Sequence, residues 1–207
     1  MNERGRHGPI EWAVMARPLP GQSVCGDSAV AIAVDEHRAL FGVIDGLGHG
    51  EAAAAAASCA AEVLGRASGQ SLDTLLGLCH RELGTTRGAA ITLAGIDFRS
   101  DTLEWLGVGN VTAVHLARNA NGVATRAASR LTGGIVGYRM PELVPVDPIP
   151  IRPGSLLIMT TDGIADHYLD GLDFAASAEA MTRQIMGEHG KLTDDALVLV
   201  ARHRGSS

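Results

Sequence analysis

Apolar positions along this chain fall in short blocks divided by glycine- and proline-bearing turns, and most blocks are too short for helices. Ile10 to Ala16 (IEWAVMA), Ser28 to Val34 (SAVAIAV) and Ala39 to Ile44 (ALFGVI) have the character of buried strands, with PLPGQSVCGD as a loop between the first two. At Glu51 the pattern changes. EAAAAAASCAAEVL predicts a helix to about Ser68, with side chains small enough to lie close against a sheet. Ser71 is placed to cap a second helix, Leu72 to Leu83, with Leu72, Leu75, Leu76, Cys79 and Leu83 on one face. From Gly88, GAAITLAGIDF, TLEWLGVG and VTAVHLAR read as an antiparallel meander. Leu131 to Pro153, rich in proline and holding a Gly-Gly pair, is expected to be largely loop with one extended segment at most. Ser155 to Thr161 is a further strand, Phe174 to Glu188 a helix, and Ala196 to Ala201 a closing strand. Strands and clustered helices that do not strictly alternate predict an α+β fold of two packed sheets flanked by helices, a doubly wound parallel sheet being the alternative. No repeat or composition shift divides the chain, so 1–207 reads as one domain.

Composition narrows the function classes. A net charge of −6 with no run of Lys and Arg argues against a nucleic-acid surface. No eighteen apolar residues run together, and the first twenty residues lack an apolar core, so no membrane span and no signal peptide are expected. Cys25, Cys59 and Cys79 form no Cys-x-x-Cys pair, which fits a reducing, cytoplasmic setting better than a disulfide framework. The eight histidines show no His-x-x-x-His spacing for zinc.

The chemistry gathers at FGVIDGLGHGEAAAAAA, Phe41 to Ala57, where a strand block ends in Asp45, three alternating glycines follow and the alanine helix begins. Three readings compete: a plain Asp-Gly bend, a phosphate-cradling nucleotide loop, and a site for a hard cation. The nucleotide reading fits poorly, because no Gly-Lys-Ser/Thr follows and Asp45 repels an anion. A cation held by Asp45 and a glycine carbonyl suits Mg²⁺ or Mn²⁺, and it predicts further carboxylates at strand ends. Asp27, Asp162 and the Asp194-Asp195 pair all lie at such ends. Singly, each has a duller reading as a turn or cap. Convergent carboxylates raise one another's pKa unless a cation joins them, and two divalent cations would also activate water toward an anionic ester.

The ordered set GD, DGxGHG, RGAA, GVGN, TDG and DDALVLV, from Gly26 to Ala201, resembles the bacterial branch of the metal-dependent protein phosphatase 2C family, especially its RsbX-type stressosome phosphatases and SpoIIE-like domains. That resemblance implies a four-layer α-β-β-α sandwich of two mainly antiparallel sheets. It also implies two Mn²⁺ or Mg²⁺ ions and direct attack of a metal-bound water on phosphoserine or phosphothreonine. Position by position, Asp45 resembles the bridging ligand, Gly46 the carbonyl ligand, and Asp162 (followed by Gly163) and Asp194 the ligands of the other metal. Asp27 resembles the residue that orders metal-bound water, and Asp195 a supporting residue. His49 is a candidate leaving-group acid. The family's arginine before the first aspartate is missing from Gln22 to Gly26, leaving Arg17 or Arg87 as substitutes. Thr85 and Thr86 stand where a third-metal aspartate is found in some members, and Leu197 where Thr or Ser is common. The implied partners are phosphorylated STAS-domain stressosome proteins, with specificity in loops such as Leu131 to Pro153. A catalytically silent binding module is the alternative.

Overall fold

The strand blocks appear as apolar runs rather than as alternating patterns because both faces of each sheet are covered. The computed structural model describes residues 2–119, 122–129, 132–144 and 147–205. The strands are β1 (Asn2–His7), β2 (Ile10–Arg17), β3 (Asp27–Ala33), β4 (Arg38–Gly46), β5 (Ala89–Asp97), β6 (Thr102–Val108), β7 (Thr112–Asn119), β8 (Gly122–Ala128), β9 (Ile149–Pro150), β10 (Leu156–Thr160) and β11 (Ala196–His203). The helices are α1 (Glu51–Ala67), α2 (Leu72–Glu82), which tightens into a 3-10 turn at Leu83–Thr85, and α3 (Ala178–His189). One sheet has the order β1-β2-β11-β10-β7-β8 and the other β3-β4-β5-β6-β9, with every pairing between these strands antiparallel.

Period-two side-chain alternation builds three cores from these strands. On β4, Ala39, Phe41 and Val43 face the space between the sheets, while Leu40 and Ile44 face α1 and α2. On β11, Leu197, Leu199 and Ala201 point inward, while Ala196, Val198 and Val200 pack under α3. The result is the expected sandwich: α1 and α2, one sheet, the other sheet, then α3. Its fold class is α+β. Ala53, Ala56, Ala57 and Ala60 of α1 are buried, so the alanine block does let the helix lie close to the sheet.

Several local expectations need correction. The segment Asn2–His7 is a strand despite its polar sequence, because it adds to the exposed edge of β2, where charged residues are tolerated. The three strands from Gly88 are not one meander: β5 pairs with β6, but β7 crosses to the other sheet and pairs with β10 and β8. The Gly109-Asn110 turn makes that crossing. Gly122–Ala128 was not expected as a strand; it is half exposed at a sheet edge, and its small Gly and Ala residues carry no strand pattern. The last helix starts at Ala178, where Ser177 caps it by accepting from the Ala180 N–H at 3.1 Å. Among the described residues of the proline-rich stretch the order is limited to β9 and single bridges at Ala89/Val136 and Ile135/Arg139; Leu131, Pro145 and Val146 lie outside the described residues. Among the described residues, no helix is long and apolar enough to cross a membrane.

Candidate active site

Antiparallel pairing brings the start of one strand beside the end of the next, and both sheets do this at the same end of the sandwich. Asp27 opens β3 directly opposite Asp45 near the end of β4. Asp162 follows β10, and Asp194 and Asp195 precede β11, its antiparallel neighbour. Asp45, Asp162 and Asp194 line one cleft of about 560 Å³, together with Gly48, Asn110 and the Gly133-Gly134 pair.

Two glycines make this convergence possible. A Cβ on Gly46 would lie 2.2 Å from the Ala53 carbonyl oxygen of α1, so the strand-to-helix turn closes only without a side chain. A Cβ on Gly163 would lie 1.8 Å from the Asp195 carbonyl oxygen, which fixes the turn after β10 against the start of β11. The buried Asp195 carboxylate accepts from Leu19 N–H at 2.7 Å and Gly26 N–H at 2.9 Å, pinning the loop that leads into Asp27. Thr161 links the two sheets: its hydroxyl donates to Asp27 Oδ2 at 2.8 Å and accepts from Leu197 N–H at 2.9 Å. The hydrogen bonding put in question by Leu197 is thus made through its backbone.

Burial pushes the Asp27 carboxyl up to about 8, with the Asp45 charge adding and the Thr161 hydrogen bond opposing. Asp45 rises to about 7, mainly by burial, then through the charges of Asp162 and Asp194, against a hydrogen bond from Asn110. A bound cation reverses these shifts. The donors are oxygens, as Mg²⁺ and Mn²⁺ require. Among the described residues, no group of three or more His, Cys, Asp or Glu side chains is arranged to hold a metal ion alone. The donor set therefore fits a hard cation of the Mg²⁺ kind, bound through one or two carboxylates with a backbone carbonyl and water completing the shell, rather than a closed protein cage.

The remaining candidates separate. His49 is exposed and is not among the residues lining the cleft. Arg87 is exposed, with Nη1 3.0 Å from the position a Cβ on Gly48 would take, so it stands beside the cleft wall. Arg17 donates to the Lys191 carbonyl and is engaged there. Like Thr161, the residues Asn110 and Lys191 had not been singled out. Asn110 donates to Asp162 Oδ2 at 2.8 Å, and the sole sequence signal for it was the GVGN turn. Lys191 Nζ donates to the Asp162 carbonyl at 2.6 Å; an exposed lysine in a loop carries no sequence signal.

The model of the family Stage II sporulation protein E (SpoIIE) matches residues 35–204. The phosphoserine phosphatase RsbX of Bacillus subtilis (strain 168) is 24% identical over 155 residues, covering 75% of each chain. A crystal structure of RsbX in complex with magnesium matches at a TM-score of 0.84 with 20% identity, over 98% of this chain and 99% of that one. A chain from structural work on the bacterial stressosome, a modular system adapted to control secondary messenger signaling, matches at a TM-score of 0.82 with 32% identity, over 93% and 99%. With the family pattern spanning both sheets and every acidic strand end but Asp27, the chain belongs to the Stage II sporulation protein E (SpoIIE) family.

Proposed function

We propose that the chain is a divalent-cation-dependent protein phosphatase acting on phosphoserine or phosphothreonine, with 1–207 working as one domain in the cytoplasm. Phosphorylated STAS-domain proteins of a stressosome are the substrates the reading favours. The observation that carries it is the facing of Asp27 and Asp45 across β3 and β4, with Asp162 and Asp194 at the same end of the other sheet around one cleft. The relatives add support: one is a phosphoserine phosphatase, one structure contains magnesium, and one chain comes from work on a stressosome.

In this reading Asp45, the Gly46 carbonyl, Asp162 and Asp194 hold two Mg²⁺ or Mn²⁺ ions. Such ions supply charge neutralisation for the phosphate oxygens and an activated water. Thr161 occupies Oδ2 of Asp27, which leaves Oδ1 to orient a water for in-line attack. Asn110 fixes the Asp162 carboxylate, and Asp195 holds the Leu19–Gly26 loop in place. Arg87 reaches toward phosphate from beside Gly48. His49, exposed and next to the cleft residue Gly48, is the candidate leaving-group acid in this reading.

The test is hydrolysis of p-nitrophenyl phosphate and a phosphoserine STAS-domain protein, with and without Mn²⁺, by wild type and Asp162→Ala. Mn²⁺-dependent release that the variant loses is the expected result. Failure of metal-loaded, folded wild type on both substrates would replace the phosphatase by a silent binding module. Release from p-nitrophenyl phosphate alone would keep the chemistry and remove the substrate.

A further inference from the structure

A second polar cluster lies toward the end of the six-stranded sheet away from the carboxylates. His115 on β7 is 2% exposed, and neither ring nitrogen has a hydrogen-bond partner among the described residues. A buried polar side chain of this kind costs free energy unless something pairs with it. His115 lines a cleft of about 400 Å³ shared with Arg126, Arg152 and Ser155.

The sheet is shaped to produce this grouping. Between β7 and β8 the register slips: His115 opposes Ala127, whereas Leu116 opposes Thr125, so Arg126 is an extra, unopposed residue. Such a bulge re-aims a side chain, and here Arg126 faces the same cleft as His115. Burial, and then the nearby Arg126 charge, hold the His115 ring below its ordinary pKa, so it is neutral and offers one N–H donor. The buried Ser155 Oγ accepts from the Arg152 N–H at 3.0 Å, which leaves its own hydrogen to donate. Among the described residues no acidic side chain lines the cleft and neither arginine makes an ion pair. Two arginines thus line one cleft without an acidic neighbour in it, on a protein of net charge −6.

We propose that this cleft binds a phosphate-class oxyanion, free or carried by a small organic molecule, clamped by Arg126 and Arg152 over donors from His115 and Ser155. Planar guanidinium groups match oxyanions bidentately, and the volume falls within the range of small-molecule sites. The walls of Ala117, Ile149, Pro150 and Pro153 suit an organic substituent. This site is separate from the carboxylate cleft, although β7 and β10 join the two: Asn110 precedes β7, and Asp162 follows β10.

The experiment uses the full chain with Mg²⁺ present and ¹⁵N-labelled histidine, the His115 signals being identified by their loss in His115→Gln. Inorganic phosphate and phenylphosphonate, which cannot be hydrolysed, are titrated separately. Saturable shifts of the His115 ring signals are expected, with affinity falling at least about 10-fold in Arg126→Gln/Arg152→Gln, whose exposed positions leave the fold intact. Tighter binding of phenylphosphonate identifies an organic phosphate as the ligand, and equal binding identifies the free oxyanion. His115 signals unmoved by either probe, or equally moved in the double variant, would overturn the site. Because the signals report on His115, phosphate held in the carboxylate cleft does not mimic the result.

Discussion

Thr161 shows how much of the site rests on a single hydroxyl. It joins Asp27 of one sheet to the Leu197 backbone of the other, in a buried place where an unpaired partner is costly. Thr161→Ala is expected to cost about 1–2 kcal/mol of stability and to lower kcat, while Thr161→Ser restores most of both. Urea melts and steady-state kinetics of the pair test this, and a serine variant as poor as alanine would count against the hydroxyl. At Arg87 the expectation concerns binding. Loss of a charge-assisted phosphate contact in Arg87→Ala should raise KM about 10-fold with kcat little changed. An unchanged KM would return Arg87 to the role of a surface charge.

Among the elements, the turn after β10 is the least tolerant. A methyl group at Gly163 would meet the Asp195 carbonyl at 1.8 Å, and the obstacle is backbone rather than a movable side chain. Gly163→Ala should therefore cost about 3 kcal/mol or more and disturb Asp162, Asp194 and Asp195 together. A variant with wild-type Tm and metal affinity would show that the two turns are not held as described. The contrast with α1 is instructive. Its alanines were readable as a close-packing face, because propensity and side-chain size are local properties. The collision at Gly163 involves a residue thirty-two positions away, which no local pattern announces.

For the whole molecule, the acidic end stores a pH-dependent cost. Asp27 and Asp45 have folded values of about 8 and about 7, above the ordinary 3.8, so the folded metal-free protein binds more protons than the unfolded chain between these limits. Its stability should fall as pH rises from about 4 to about 8 and level off above. Mg²⁺ or Mn²⁺ should raise Tm most at the alkaline end, and a chelator should undo the gain. Thermal melts across this range, with and without the ion, check the sign; a metal-free Tm that climbs with pH would contradict it.

The sequence by itself determined the strand blocks, the two consecutive helices, the α+β class and the acidic residues at strand ends, because periodicity and turn chemistry are carried by neighbouring residues. It also placed Asp45 between a strand and a close-packed helix. Only the tertiary structure decided which strand ends meet. The pairing of β7 with β10 in the second sheet and the meeting of the Asp27/Asp45 end with Thr161 and Asp162 join distant segments, whereas β1 and β8 join by local hairpins at sheet edges whose sequences carry no strand pattern. Asn110, Thr161 and Lys191 matter through partners 52, 134 and 29 positions away, respectively. The same holds for His115 and the arginines around it: a bulge and the meeting of separate strands made a cluster from residues that, along the chain, are ordinary surface and strand positions.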